Sequence, residues 1–316
     1  MENEAISLDG ITEIKSEKLD SSWNYKDAEW NTWEMRTSEF LCALSKETRY
    51  DSAQISLEDT DVMSVFQSSD SIGLSFRENR GFPLGTRGIA FMDLPLMTEI
   101  LLEYTPDDFS GLVRVISLCR GNNAWNARIK KLLKSGEIKP SHLITCREDC
   151  YELFLRYGIL QDDAEALMNN IRKGKGLYIK GEYQENRLLA AGLPTWIMDS
   201  LKAVHYLPMR THSIMEAQCS WRIAYYKVHY PQEFYKTFFN MYADDYDMEN
   251  ILQGYEKVTD AIWKLDKSSR NGHDYDMRKR RHFELALEMF ARGIQLPEDS
   301  YQKKGYVTRN LDRESE

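Results

Sequence analysis

The sequence is poor in the features that mark several protein classes. Five cysteines (Cys42, Cys119, Cys146, Cys150 and Cys219) are scattered through 316 residues. The number is odd and the spacing fits no framework, which argues against a disulfide scaffold and predicts reduced thiols. Cys146 and Cys150 lie on one face of a helix, yet no second Cys or His pair stands nearby at zinc-ligand spacing, so no metal site is read there. No stretch approaches the roughly 18 to 20 uninterrupted apolar residues of a membrane span. Met1-Glu2-Asn3-Glu4 is acidic where a secretory signal is basic. The expectation is a soluble, cytoplasmic protein with no membrane contact. Alternation with period two is almost absent, which speaks against an extensive sheet. Cations are in deficit: 41 Lys and Arg stand against 50 Asp and Glu, a formal charge of -9. Because affinity for phosphate needs clustered Lys and Arg, any nucleic-acid contact has to be local.

What is present is a large apolar complement, 42% of the chain, enough for one large domain or two modest ones. Residues 1–37 mix charge with Trp23, Trp30 and Trp33 and show no sustained period, so they read as an N-terminal arm. From residue 38 to 302 apolar residues recur at helical spacing, as in Leu96, Ile100, Leu101 and Tyr104, or Ile251, Tyr255, Val258 and Ile262. Residues 303–316 form a polar tail. Turn signals separate the blocks, among them Gly81-Phe82-Pro83, Gly174-Lys175-Gly176, Gly192-Leu193-Pro194 and Tyr230-Pro231. The fold class that follows is mainly α, multi-helical, built from about ten or more short helices. Pro106-Asp107-Asp108 reads as a helix start, and Arg172-Lys173-Gly174 as a helix end. Met209 to Tyr230 is the longest candidate helix, stopped by Pro231, with one face expected to be wet and basic. Three basic clusters stand out: Arg128 to Lys134, Arg172 to Lys175, and Arg278 to Arg281. The plain reading of each is a solvated helix face or end.

Several blocks then resemble, in order, the PolC-type alpha subunit of bacterial DNA polymerase III. They begin with Asp59-Thr60-Asp61-Val62-Met63 through Ser68-Ser69, followed by Gly85-Thr86-Arg87-Gly88-Ile89 and Phe109-Ser110-Gly111-Leu112-Val113. Further along come Cys146-Arg147-Glu148-Asp149, Ile171-Arg172-Lys173-Gly174-Lys175-Gly176-Leu177, Trp196-Ile197-Met198-Asp199-Ser200, and Arg222-Ile223-Ala224-Tyr225-Tyr226-Lys227-Val228-His229-Tyr230-Pro231. The resemblance covers about residues 38–302 and points to the helical fingers of these C-family polymerases, which contact template, primer duplex and nucleotide.

The resemblance implies phosphate or DNA contacts at Arg172, Lys173, Gly174, Lys175 and Gly176. There the glycines would let backbone amides approach an anion while the side chains add charge. It also draws attention to Arg114, Arg120, Arg210, His212, Arg222 and Lys227. Two elements depart from the family. Ser117-Leu118-Cys119-Arg120-Gly121-Asn122-Asn123-Ala124-Trp125 stands for Gly-Leu-Ser-His-Gly-Thr-Asp-Val-Trp, and Glu216 stands where the family has tyrosine, a carboxylate that would repel nucleotide phosphates. A surface or packed-helix role for His212 is therefore expected. Tyr225, Tyr226, His229 and Tyr230 could stack on bases, but a helix rich in aromatics is more often core, and a core role is expected for them.

Catalysis by two metals needs acidic side chains fixed about 4 Å apart around the ions, which the family carries on its palm. The acid pairs here, Asp59 and Asp61, Asp245 and Asp247, and Asp274 and Asp276, lie beside helix starts or turns, and the first suits capping. No catalytic residue and no cofactor are assigned, and magnesium enters only if a palm-bearing partner completes the site. The leading reading is a stand-alone, fingers-like protein, inactive alone, that binds primer-template or single-stranded DNA weakly or engages a replication protein; such a piece suits a mobile element. Half of a split polymerase, or an interaction module without a nucleic-acid role, are the alternatives.

Overall fold

The computed structural model of the chain describes residues 32–270, 277–297 and 301. The arm at 1–37 falls largely outside the described residues, and the 303–316 tail and the Asp274 and Asp276 pair fall wholly outside. Fourteen α-helices occur among the described residues. In chain order they are α1 (Thr32–Thr48), α2 (Thr60–Val65), α3 (Pro95–Tyr104), α4 (Phe109–Arg120), α5 (Ala127–Lys134), α6 (Arg147–Arg156) and α7 (Gln161–Ile171). After a two-stranded hairpin, β1 (Tyr178–Ile179) and β2 (Glu182–Tyr183), come α8 (Glu185–Ala190), α9 (Thr195–Ala203), α10 (Arg210–His229), α11 (Pro231–Tyr242), α12 (Asp245–Leu252), α13 (Tyr255–Arg270) and α14 (Met277–Ala291). The fold is mainly α, as the apolar spacing predicts.

Helix limits follow local chemistry. Asp59 caps α2 by accepting from the amides of Asp61 and Val62, each at 3.0 Å. Asp108 caps α4 through the Gly111 amide at 2.6 Å. Asp244 caps α12 through the Asp247 amide at 2.8 Å. Such caps satisfy amides that have no partner inside the helix. Pro95 and Pro231 open α3 and α11, where the missing N–H costs nothing. Helix α1 begins at Thr32, inside the stretch read as an arm. Its Phe40, Leu41 and Leu44, all buried, supply the reason.

The chain divides into two compact units that interleave in sequence. Among the described residues, the first takes 56–67 and 91–221 and the second 32–55, 68–90 and those from 222 onward, so the boundary falls within α10. In the first unit α3 packs on α4 and α6 on α7. Helix α4 is buried almost throughout, with Leu112, Val115 and Ile116 wholly enclosed. Trp221 closes this core: its ring lies 6.2 Å from that of Phe66 and 6.0 Å from that of Phe109, and its Nε1 donates to the Ser56 carbonyl at 2.8 Å. Burial of each such large side chain contributes about 1.5–3 kcal/mol.

The second unit pairs α1 with α11 and α13 with α14. Phe40 meets the rings of Phe234, Phe238 and Tyr242 within 5.9 Å. The loop preceding residue 91 is held from inside. Arg87 donates to the carbonyl and side-chain oxygens of Asn79 at 3.2 and 2.6 Å. The Asn79 amide in turn donates to the Phe82 and Leu84 carbonyls at 2.8 and 3.0 Å. Gly88, at φ +73°, leaves room for Leu285, whose Cδ2 would stand 2.8 Å from a Cβ there.

Candidate nucleic-acid interface

The basic turn at the end of α7 is a helix cap whose two lysines face water. The amides of Arg172, Lys173, Gly174 and Lys175 donate to the carbonyls of Met168, Asn170, Ile171 and Asn170 at 2.9–3.1 Å. Gly174 takes the left-handed conformation, φ +68°, that closes such a cap. The amides of residues 172–175 are thus consumed by the helix, and what the turn presents outward is side-chain charge. Lys173 and Lys175 are exposed, while Arg172 is half-buried with its Nε on Asn169 Oδ1 at 2.9 Å. Gly176, also left-handed at φ +73°, leads into the hairpin.

The other two basic clusters are largely spoken for. On α5, Arg128 pairs with Asp199 at 2.6 Å, Lys134 with Glu103 at 2.7 Å, and Lys130 with Glu99. Near the start of α14, Lys279 pairs with Asp244 at 3.4 Å and Arg280 with Glu284 at 2.8 Å and with Asp266. Among the described residues, Arg172, Lys173 and Lys175 meet no carboxylate.

Arg114 and Arg210 converge on one buried carboxylate in the first unit. Asp149 sits in the first turn of α6 and accepts from the Thr145 amide and hydroxyl at 2.9 and 2.7 Å. Arg210 Nη2 lies 3.0 Å from Asp149 and its Nη1 2.9 Å from Glu152. Arg114 Nη1 lies 3.7 Å from Asp149, and its Nη2 donates to the Ser141 and Leu143 carbonyls at 2.9 and 2.5 Å. Asp149, the hub, is a residue the sequence offered only as part of a family block. Its signal was the acid three positions into a helix after Cys146, a capping-box position.

Arg120 and Glu216, the two departures from the family pattern, form a pair. The guanidinium contacts the carboxylate at 2.9 and 2.6 Å and lies over the Phe91 ring at 5.4 Å. Glu216 is thereby neutralised by Arg120. His212, one turn earlier on α10, is half-buried. Burial pushes its imidazole below the ordinary range, and the Arg147 and Arg120 cations add to the shift.

In the second unit Lys227 has no exposed surface. The wet, basic face expected for this helix does not extend to it. Its Nζ meets Glu288 Oε1 at 2.6 Å and the Gly85 and Arg87 carbonyls at 2.7 and 2.6 Å. Burial lowers its pKa to about 8, although Glu288 acts the other way. Arg222 is half-buried. Tyr226 is fully buried, with its hydroxyl donating to the Tyr50 carbonyl at 2.7 Å, whereas Tyr225 and Tyr230 lie partly exposed beside the Tyr50 ring.

The described acid pairs are built into helix starts. Asp247 is buried against His282 Nδ1 at 2.7 Å, and Asp245 accepts from the Tyr301 hydroxyl at 2.6 Å. Among the described residues no group of three or more His, Cys, Asp and Glu side chains is arranged to hold a metal ion. Nor is any described helix long and apolar enough to cross a membrane.

A helical body with these caps and colinear motifs has a counterpart among known proteins. Residues 36–160 match the model of the bacterial DNA polymerase III alpha subunit finger domain. The chain is therefore similar to the fingers region of PolC-type polymerases. It is 30% identical over 247 residues to the PolC-type DNA polymerase III of Caldanaerobacter subterraneus subsp. tengcongensis, covering 78% of this chain and 17% of that protein. The PolC-type enzyme of Thermotoga maritima is 30% identical over 267 residues, covering 83% of this chain and 19% of its own length. That of Listeria welshimeri is 30% identical over 244 residues, 77% of this chain and 17% of its own. The chain therefore spans less than a fifth of the length of these relatives.

Proposed function

We propose that the chain is a cytoplasmic, fingers-like module that contacts the DNA backbone through the exposed side chains at the end of α7, and that it does not transfer nucleotides by itself. One observation carries this reading: of the three basic clusters, this is the one in which no side chain meets a carboxylate among the described residues. Cations without internal partners are available to phosphate, and their attraction is independent of base sequence. Lys173 and Lys175 would supply the contacts; Arg172 would add field, and Gly174 and Gly176 the shape. Arg114, Arg210 and Lys227 would act on the scaffold, since carboxylates already hold them.

Binding to labelled primer-template duplex, followed across a salt series, tests the reading. The parent protein is expected to bind at low salt and weaken as salt rises. In Lys173→Ala/Lys175→Ala the log-log slope falls by about 2, with the helical spectrum unchanged. A double variant with the parent's affinity and slope would return the turn to a helix cap and make a protein-interaction module the better account. With primer-template, deoxynucleotides and magnesium, the purified chain is expected to give no extension. A second reading is favoured by the relatives, polymerases of which this chain matches only a part: a palm-bearing chain would complete a polymerase with it. Extension that appears only on adding such a chain would support that reading.

A further inference from the structure

The basic turn runs straight into the hairpin, and the hairpin carries an aromatic pair on its surface. Tyr178 and Tyr183 are cross-strand partners on one face of the ribbon, with Ile179 and Glu182 on the other. Their ring centroids lie 5.0 Å apart, and the residues are 43% and 48% exposed. The two-residue turn between the strands, Lys180-Gly181, has positive φ at both positions, 48° and 88°, the geometry that suits tight hairpins. It leaves Lys180 exposed at the tip.

The hairpin is fastened to the end of α7. Asn170 Nδ2 donates to the Tyr178 carbonyl at 2.7 Å, while the Asn170 carbonyl accepts the amides of Lys173 and Lys175. The Tyr178 ring folds back toward the turn, so that a Cβ on Gly176 would stand 3.8 Å from it. One asparagine thus ties the lysine turn and the aromatic ribbon together. Glu185, the carboxylate at the start of α8, takes a hydrogen bond from the Tyr183 hydroxyl and is bridged by Lys202 at 2.8 Å. Glu182 projects from the opposite face of the ribbon.

We propose that Tyr178 and Tyr183 form a stacking platform for unpaired bases of single-stranded nucleic acid, whose phosphates run along Lys173, Lys175 and Lys180. The proposal rests on the phosphate reading above and narrows it to a class of ligand. Exposed rings beside lysines suit a strand with both charge and free π-faces, because base stacking tolerates any base. In a duplex the base faces are already stacked on one another and lie out of reach. A protein partner for the rings would leave three neighbouring ammonium groups unexplained.

The test compares three probes: a labelled oligothymidylate of about 20 nucleotides, an equal strand with a central run of abasic residues, and a duplex of the same length. Tyr178→Leu/Tyr183→Leu keeps apolar bulk on the ribbon and removes the rings. It is expected to bind oligothymidylate at least about 5-fold more weakly, with duplex affinity and salt slope kept. The abasic strand is expected to weaken binding by the parent to the same extent and to cost the Leu variant nothing further. Tyr178→Phe/Tyr183→Phe, which retains the rings, is expected to stay within about twofold of the parent. Equal binding of the abasic and intact strands by the parent, or an unchanged affinity in the Leu variant, would overturn the platform. So would an equal loss on strand and duplex. If Lys173→Ala/Lys175→Ala weakens binding while the Leu variant does not, the platform falls and the phosphate reading stands. If the lysine variant changes nothing, or the parent binds neither nucleic acid, the phosphate reading falls first.

Discussion

The end of α7 and the interior of the second unit both gather cationic side chains, under opposite physical conditions. At the end of α7, Lys173 and Lys175 stand in water on a backbone whose amides are already used. Inside the second unit, Lys227 is enclosed between Glu288 and two loop carbonyls. Tyr235 donates to the same carboxylate at 2.7 Å, and Arg292 donates to the Lys227 carbonyl at 3.1 Å. A buried ion has exchanged hydration for fixed partners, so losing one partner strands the other, whereas an exposed ion loses only a weak, screened interaction. The difference teaches that basic residues in one sequence can be structural cement or solvated surface charge, and that burial and counter-charge decide which.

That contrast can be broken at its strongest point first. Lys227→Met leaves Glu288 buried without its ammonium, and chemical denaturation is expected to show a loss of about 3–5 kcal/mol. Adding Glu288→Gln should recover much of it, because the stranded charge is gone. If the single variant is as stable as the parent, the buried pair is not cement at all.

The first unit offers an intermediate case. Asp149→Ala removes the carboxylate shared by Arg114, Arg210 and Thr145, yet Arg210 keeps Glu152 and partial contact with water. A loss of about 2–4 kcal/mol is expected in the same measurement. A loss under about 1 kcal/mol would show that solvent replaces Asp149 cheaply.

A smaller effect follows from proton linkage. Burial holds the Lys227 pKa at about 8, against an ordinary value near 10.5. Below pH 8 the folded and unfolded chains both carry the proton, and between 8 and 10.5 the unfolded chain binds it more. The lysine's contribution to stability therefore rises with pH across that window. Tyr235, held well above 10 chiefly by burial and also by Glu288, adds an opposing slope only near pH 10 and beyond. Comparing stability from pH 8 to 9.5 in the parent and in Lys227→Met isolates the lysine term. Equal slopes would refute it.

At the weak end, Lys173→Ala/Lys175→Ala is expected to shift stability by no more than about 0.5 kcal/mol. A larger loss would mean that the turn is built into the fold in the way that Lys227 is.

Much of the helical frame was legible because each helix carries its own instructions. Asp108 and Asp59 announce helix starts, Tyr230-Pro231 ends α10, and Gly174 ends α7. The hairpin was not legible, since strands of two residues are too short to show a period. Its signal was the Lys180-Gly181 turn next to aromatic and β-branched residues. The fate of individual charges was hidden for another reason. Arg120 and Glu216 stand 96 positions apart, and Lys227 finds Glu288 on α14. A local reading shows that a basic or acidic residue is present, while its partner is chosen by packing.

Gly174 is fixed twice, by its left-handed backbone and by the His205 carbonyl oxygen and Cα, which would lie 3.1 and 3.2 Å from any Cβ placed there. The path of this turn is therefore barred from drifting, while the lysines on either side meet no carboxylate among the described residues. In evolutionary terms it behaves as a fixed socket with exchangeable contacts. Its charge can be raised, lowered or reversed one residue at a time with little expected cost to the fold.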